Sequence, residues 1–415
     1  MECVFTIVAK NYIGLAQILK KSFARYNDVP FYIIVADELD KINISEEIFE
    51  AKNILDIEEN VWYEMAFKYD LTEFCTSIKP YCFKYLLSKF DKVVYLDPDI
   101  LFFGNLSKVF YLLSEYDMVL TPHISECHVK YGGDLKENQL LGSGVFNLGF
   151  CGVKKSLQME TIIDWWAERL KSMCFSDPLE YLYTDQHWMD MIPCFLGDKL
   201  FVLRDLGYNM APWNYFERKV LKDGNNYYII SRSQKTKEQH PLIFVHYSGY
   251  DYKTIISGKC VQRNIRIMDQ YEDILLILDA YKKELLNSVD LFNKYINLKY
   301  TYNYFVDDKL TQILPFHRRL YNGLLKKGVI GSNPFINGSN SFFYLLKKSH
   351  LLPQKETSVD KETVYSLKGI ERKYLFVNKL LNVAFKLFGY EKYVLFIKAM
   401  RVYSRNENHI FLIKN

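Results

Sequence analysis

Val93–Phe103 reads VVYLDPDILFF: an apolar run, two aspartates separated by one proline, and a second apolar run. In an extended chain, residues i and i+2 project the same way, so Asp97 and Asp99 offer two carboxylates to one point. Pro98 fixes its own φ and biases Asp97 towards an extended backbone. Because the pair follows directly on VVYL, it falls at the carboxyl end of a buried strand, which is where open α/β sheets gather ligands. Paired hard oxygen donors suit Mg²⁺ or Mn²⁺ bridging phosphates. An Asp-x-Asp tripeptide arises by chance about once in a chain of this length, and a solvated turn is the plain alternative.

Outward from this segment the pattern alternates. Val4 to Ala9 and Phe31 to Asp37 are apolar, β-branched-rich runs, and between them Leu15, Ile18, Leu19 and Phe23 share one helical face. A helical pattern from Ile78 to Phe90 leads into Val93–Leu96, then helix over Leu106 to Leu113 and strand over Met118 to Thr121. Such alternation predicts an α/β sheet with helices on both faces. Ile124 to Gly144 is polar, Gly-rich and aperiodic and reads as a mobile loop. Strand resumes over Val145 to Val153, helix over Leu157 to Met173, and short strands over Lys199 to Leu203 and Leu242 to His246. Beyond Gly258 the patterns are helical (Ile265 to Leu286, Leu375 to Phe388, Tyr393 to Tyr403), broken by a Gly/Asn/Ser-rich piece at Gly328 to Ser341. The expected organisation is one α/β domain over residues 1–257 and a mainly helical region over 258–415.

Composition narrows the class. About half of the 415 residues are hydrophobic and a quarter charged, an ordinary globular balance. The net charge of +4 gives no reason to expect nucleic acid as partner, but Glu371 to Asn415 holds nine Lys or Arg against three Asp or Glu. In that basic tail, Leu380, Leu381, Phe385 and Phe388 accompany Lys379 and Lys386. An amphipathic helix on an anionic membrane surface and a core helix with solvated lysines both fit this pattern. The eight cysteines are scattered without a CxxC pair, the pattern of reduced thiols. With no signal-peptide pattern at the N-terminus and no apolar run of about 20 residues, a cytoplasmic protein is expected, either soluble or peripheral on the inner membrane face.

The strand in PLIFVHYSGYDYK, residues 241–253, ends at His246, and a neutral imidazole can complete a cation's shell. Ser248, Gly249 and the polar run after them form a loop that can approach a phosphate, with Lys253 available to neutralise one.

Taken together, several segments resemble bacterial glycosyltransferases of the GT-A fold, similar to the retaining family 8 enzymes of the nucleotide-diphospho-sugar transferase superfamily. They are AKNY (9–12), IKP (78–80), YLDPDILFF (95–103), LTPH (120–123), GVFNLGF (144–150), TDQHW (184–188), GYNMAPWN (207–214) and HYSGYD (246–251). The resemblance implies a sheet that binds a nucleotide sugar, with Asp97, Asp99 and His246 as ligands of Mn²⁺ or Mg²⁺. It implies that Ala9, Asn11, Tyr12 and Asp37 line the nucleotide pocket and that Lys79 reaches the donor phosphate or sugar. Asn147 would touch the donor sugar or acceptor, and Asp185 with Gln186 would stand beside the anomeric carbon. Lys253 would hold the diphosphate, although the family's Lys-Pro after this loop is absent. The reaction implied is transfer of a sugar, from a UDP-sugar and with retention, to a glycan, lipid-linked or protein-linked acceptor in surface polysaccharide or glycoconjugate synthesis.

Each residue also has a structural reading. Asn11 can cap the first helix, Lys79 can be solvated at a helix start, Asn147 can bond backbone, and Asp185 can cap the turn at Gln186. Trp213 and Asn214 can be core and turn residues, and Arg318 and Arg319 a solvated pair on a packing helix. A non-catalytic nucleotide-sugar or carbohydrate-binding protein of the same fold, or a nucleotidyltransferase, are the alternatives. The latter expects a Gly-rich basic loop after the first strand, where AKNYIGLAQ has only Gly14.

Overall fold

The computed structural model describes residues 1–39, 42, 45–233, 238–257, 262, 270–329, 333–357 and 370–414. The chain divides into two compact units, Met1–Ile57 with Leu71–Tyr300, and Glu58–Asp70 with Thr301–Asn415.

In chain order the strands of the first unit are β1 (Glu2–Val8), β2 (Phe31–Val35), β3 (Ile48–Glu50), β4 (Lys92–Leu96), β5 (Ile100–Phe102), β6 (Met118–Pro122), β7 (Phe146–Lys154), β8 (Ser176–Asp177), β9 (Leu182–Tyr183), β10 (Leu200–Val202), β11 (Arg218–Asp223), β12 (Asn226–Ser231), β13 (His240–Pro241) and β14 (Phe244–His246). The main sheet has seven strands in the order β10-β6-β7-β4-β1-β2-β3. All its pairings are parallel except those of β7, which runs antiparallel to both β4 and β6. Smaller sheets pair β11, β12 and β13, β14 with β5, and β8 with β9.

Strand β1 is buried on both faces, and its alternation sorts the layers. Phe5 meets Phe83 of the helix Lys79–Leu87 at 5.0 Å, and Phe83 meets Trp166 of the helix Leu157–Met173 at 6.1 Å. Val4 and Val8, on the opposite face, share a core with Ile13, Ala16 and Leu19 of the helix Ile13–Phe23. Each such apolar side chain contributes roughly 1.5–3 kcal/mol on burial. The α/β expectation, a sheet covered by helices on both faces, describes this unit.

The unit extends past the expected division at residues 257/258. Tyr281 of the helix Leu275–Asn287 stacks on Tyr247 with centroids 3.9 Å apart, and Tyr247 Oη donates to the Ile277 carbonyl at 2.7 Å. Gly14 lies so close to the helix Val289–Asn293 that a Cβ there would sit 2.8 Å from Phe292 Cα. The Gly14 contact requires a residue without a side chain at the helix crossing. The first part of the expected helix Ile265 to Leu286 and Cys260 lie outside the described residues.

Ile124 to Gly144 is not loop throughout. It contains the helix Glu137–Ser143, and Leu140 packs with Ala211 and Trp213. Its start is tied down by the buried carboxylate of Glu217, which accepts from the Ser125 and Glu126 amides at 3.0 and 3.1 Å. The low periodicity of this segment reflects that it is held by scattered anchors, Ile124, Tyr131, Leu135 and Leu140 against Ala211 and Trp213 together with the Glu217 carboxylate, rather than by a continuous stripe.

In the second unit Arg318 is buried, not solvated. Its guanidinium donates to the carbonyls of Ala66, Phe67, Tyr69 and Tyr302 and to Asn303 Oδ1, at 2.6–3.0 Å. Three of those carbonyls belong to the last turn and end of the helix Glu59–Lys68, which otherwise lack helical partners. The tail forms one helical element, Ile370–Tyr403, interrupted at Gly389 with φ 74°. Between Tyr374 and Tyr403 most of its apolar side chains are exposed, including Phe376, Leu380, Phe385, Leu387 and Phe396. Among the described residues, no helix is long and apolar enough to cross a membrane.

Candidate metal centre

The carboxyl ends of three neighbouring parallel strands deliver the first residues. Asp37 follows β2, Ala9 follows β1, and Asp97 follows β4. The pairing of β14 with β5 sets His246 opposite Ile100, next to Asp99. His246 Nε2 lies 3.1 Å from Asp99 Oδ1 and 3.5 Å from Asp97 Oδ2. One donor atom from each of the three falls within 4.8 Å of the others.

The reversed direction of β7 brings its beginning, rather than its end, to this edge. Between Leu120 and Thr121 the register against β7 jumps, so Leu120 faces Cys151 and Thr121 faces Asn147. The irregularity releases Leu148 from the β6 ladder and leaves its carbonyl to another partner, while Gly149 continues the ladder with β4. Leu148 O accepts from Lys79 Nζ at 3.0 Å and Gly149 O from the Asp97 amide at 2.8 Å. A Cβ on Gly149 would lie 2.3 Å from His246 Cε1 and 2.8 Å from Asp97 Oδ2, so only glycine fits beneath the triad.

Charges at the edge are arranged in two groups. Burial by itself disfavours the protonated His246 imidazole, but Asp99 and then Asp97 outweigh it and hold its pKa above the usual value. Tyr95 Oη donates to Asp97 Oδ1 at 2.6 Å and fixes that carboxylate's outer oxygen. Deeper in, Lys79 Nζ and Asp185 Oδ2 are 2.6 Å apart, both side chains almost wholly buried. The ammonium also stands over the Tyr95 ring, 4.2 Å from its centroid. Burial raises the Asp185 pKa against the opposing pull of Lys79, while Lys79, which burial alone would lower, is raised by Asp185. We read the two as an ion pair, because a 2.6 Å contact to an ammonium favours the carboxylate form.

Asp185 is preceded by Thr184, a β-branched residue at φ 47°. That conformation costs on the order of 1–3 kcal/mol and is held here by the Thr184 amide bonding to Phe175 O at 3.1 Å. Gln186 is held at both ends. Its Oε1 accepts from Asn147 Nδ2 at 3.3 Å and the Leu148 amide at 3.2 Å, and its Nε2 donates to Ser143 O at 2.7 Å.

The structure thus brings Asp97, Asp99, His246, Asn147, Lys79, Asp185 and Gln186 into one connected cluster. A second cluster gathers the expected nucleotide residues. Lys10 Nζ lies 3.4 Å from Asp37 Oδ1, and the Tyr12 ring meets Tyr252 edge-on at 5.5 Å. Asn11 Oδ1 is buried with no hydrogen-bond partner among the described residues, so it does not serve as a cap. Lys253 is exposed on the short helix Tyr252–Ile256, one residue from the ring that touches Tyr12. Asp185 makes no cap bond to the turn at Gln186 either. Lys79, expected to reach a donor group, is instead engaged by Asp185 and Leu148 O. Trp213 packs edge-on against His246 and His123, each at 5.2 Å. Burial holds the His123 pKa down to about 4.

Sequence reasoning missed Tyr95 and Asn209. Tyr95 reads only as a strand residue, and nothing in its neighbours announces the hydroxyl contact. Asn209, left-handed at φ 51°, donates from Nδ2 to Thr121 Oγ1 at 2.7 Å and to Asn147 Oδ1 at 3.1 Å. A surface depression of ≈ 460 Å³ lined by Glu2, Asn27, Lys92 and Tyr111 lies at the opposite, amino end of β1 and β4 and contains none of these residues.

No family model matches the chain, and no curated protein matches it significantly. Among solved structures it is similar to galactosyltransferase LgtC in complex with donor and acceptor sugar analogs, at 16% identity over 72% of this chain and 98% of that one, TM-score 0.39. It is similar to mouse xyloside xylosyltransferase 1 in apo form, at 10% identity over 60% of this chain and 98% of that one, TM-score 0.37. The apo-form glycosyltransferase GlyE of Streptococcus pneumoniae is 17% identical over 74% of this chain and 67% of that one, TM-score 0.38. TM-scores this low leave both fold and chemistry to rest on the chain's own geometry.

Proposed function

We propose that the chain is a metal-dependent glycosyltransferase of GT-A type that moves a sugar from a nucleoside-diphosphate donor, a UDP-sugar, to a glycan, lipid-linked or protein-linked acceptor with retention. The observation that carries the reading is the Asp97, Asp99 and His246 triad at the carboxyl edge of the sheet, with one donor atom from each within 4.8 Å of the others. Two carboxylates and an imidazole suit Mn²⁺ better than Mg²⁺, which prefers an all-oxygen shell. The glycine beneath the triad, which any side chain would fill, supports the fit.

A cation held there would neutralise charge on a departing nucleoside diphosphate. In this reading Ala9, Asn11, Tyr12 and Asp37 hold the nucleotide, the unpartnered Asn11 oxygen being available to a base or ribose donor. Lys253, exposed beside Tyr252, reaches the diphosphate. Asp185, kept ionised by Lys79, and Gln186 supply oxygen beside the anomeric carbon, as nucleophile or as a fixed dipole. Lys79 orients Asp185 rather than binding phosphate.

The test is a donor screen with Mn²⁺, scoring nucleoside diphosphate release by mass spectrometry with and without candidate acceptors. Turnover lost in EDTA and in Asp97→Asn and Asp99→Asn is expected; full turnover in EDTA would sink the reading. Donor binding without turnover of any donor would indicate a non-catalytic binding protein.

We further propose that the tail binds an anionic membrane surface, which places the protein on the cytoplasmic face of a membrane. Support comes from the exposed apolar side chains between Tyr374 and Tyr403 of the helical element Ile370–Tyr403. Between residues 370 and 405 these are accompanied by eight Lys or Arg against two Glu, a surplus of six positive charges. Exposed apolar area beside basic side chains is what an anionic bilayer interface accepts.

A further inference from the structure

We infer that Asn147 is a positioning residue that fixes the tautomer of His246, so that Nε2 carries its lone pair towards Asp97 and Asp99. The inference takes from the proposed function only that this triad holds a cation.

The orientation of Asn147 is determined by partners that admit no ambiguity. The Gly149 amide can only donate, so the Asn147 atom it meets at 3.2 Å is the oxygen. His246 Nδ1 lies 3.2 Å from that same oxygen and must therefore be the protonated ring nitrogen. On the other side, the Leu148 amide donates to Gln186 Oε1 at 3.2 Å and Ser143 O accepts from Gln186 Nε2 at 2.7 Å, which fixes Gln186. The Gln186 oxygen then faces Asn147 Nδ2 at 3.3 Å, in agreement with the first assignment. Backbone groups thus dictate the orientation of both amides and of the ring between them and the triad.

With Nδ1 protonated, a neutral His246 presents Nε2 unprotonated, 3.1 Å from Asp99 Oδ1 and 3.5 Å from Asp97 Oδ2. The two carboxylates favour a proton on Nε2, so in the metal-free ring the inferred form requires the Asn147 oxygen, itself fixed by Gly149 and Asn209, to outweigh them. The expectation that Asn147 itself touches sugar does not fit its bonding. Its oxygen already accepts from His246, Gly149 and Asn209, and its nitrogen donates to Gln186 and stands 3.5 Å from His123 Nε2.

The test is the tautomer of His246 in metal-free protein labelled with ¹⁵N-histidine, read by long-range ¹H–¹⁵N correlation at alkaline pH. Wild type and Asn147→Asp, which keeps an acceptor oxygen, should hold the proton on Nδ1. Asn147→Ala should move it towards Nε2, the form free histidine prefers. A wild-type ring protonated mainly on Nε2, or an Asn147→Ala ring still protonated on Nδ1, would overturn the inference. If Asn147→Ala does not fold, Asn147→Asp decides: loss of the Nδ1 proton there overturns it. Mn²⁺ binding, followed by the electron paramagnetic resonance of the free ion, should weaken by about 10- to 100-fold in Asn147→Ala and recover in Asn147→Asp. Equal weakening in both variants would mark Asn147 as packing only. A wild type that binds no Mn²⁺ defeats the proposed function, while the tautomer remains decided by the nitrogen spectra.

Discussion

Lys79 and Asp185, distant in sequence, meet at 2.6 Å in an almost wholly buried ion pair at the edge of the sheet. Lys79 opens the helix Lys79–Leu87, and Asp185 follows the left-handed Thr184. A buried pair that loses one partner leaves the other charge uncompensated, at a cost of about 3–5 kcal/mol. Lys79→Met should therefore lower the unfolding free energy by an amount of that order in urea denaturation. The double variant Lys79→Met/Asp185→Leu should recover most of the loss. A single variant as stable as the wild type would show that the pair carries no structural role.

The His246 imidazole gives a pH dependence of definite sign. Burial opposes its protonation, but Asp99 and Asp97 raise its pKa above the ordinary 6.5. A raised folded value means that the proton stabilises the metal-free fold fully below 6.5, a contribution lost as pH rises through the folded value. A cation needs the unprotonated ring, so Mn²⁺ affinity should fall by about tenfold per pH unit below the folded value. That fall should begin above pH 6.5, since the folded value lies higher. Mn²⁺ titrations across the neutral range check this, and His246→Gln should flatten the slope.

Gly149→Ala should cost both stability and metal affinity. The new methyl would overlap His246 Cε1 at 2.3 Å, and both neighbours are held by hydrogen bonds that resist displacement. Overpacking of this kind costs about 1–3 kcal/mol. Thermal melts with and without Mn²⁺ should show a lowered melting temperature and a smaller metal-dependent rise than in wild type. An unchanged rise would mean that the ring shifts without losing its place as ligand.

The tail should attach the full-length protein to vesicles containing phosphatidylglycerol but not to pure phosphatidylcholine, and salt should weaken the attachment. Phe376→Ser/Leu387→Ser changes two exposed side chains, so the fold should be unaffected while flotation is lost. A chain that floats equally with neutral vesicles would contradict the charge argument, and a stable dimer by sedimentation would assign the apolar face to a second copy.

The parts of this fold written in local pattern were legible in the sequence. Val93–Leu96 read as a buried strand because it lacks alternation, and the neighbouring Asp97 and Asp99 read as convergent because a strand has period two. Nothing local recorded the direction of β7, since a strand's sequence is indifferent to which way its neighbour runs. The sequence therefore suggests sugar or phosphate as partners of Asn147 and Lys79, whereas their hydrogen bonds in the fold go to His246, Gln186 and Asp185. Arg318 was read as solvated because an arginine's burial depends on four distant carbonyls. The stacking of Tyr281 on Tyr247, which joins a helix beyond residue 257 to the strand bearing His246, is likewise a contact between segments with no shared pattern.

The lone antiparallel strand has a consequence for the order in which the protein matures. Asp97 lies after β4 and His246 at the end of β14, and Asn147 enters between them only when β7 has zipped backwards against β4. A nascent chain that has not yet closed this strand leaves the Nδ1 side of His246 without its Asn147 partner, so a cation held at the triad would favour the completed sheet. By mass action it then stabilises that state over every partly assembled one, by about 2.7 kcal/mol at a free concentration one hundred times its dissociation constant. A cation at the triad would thereby lengthen the life of the finished molecule.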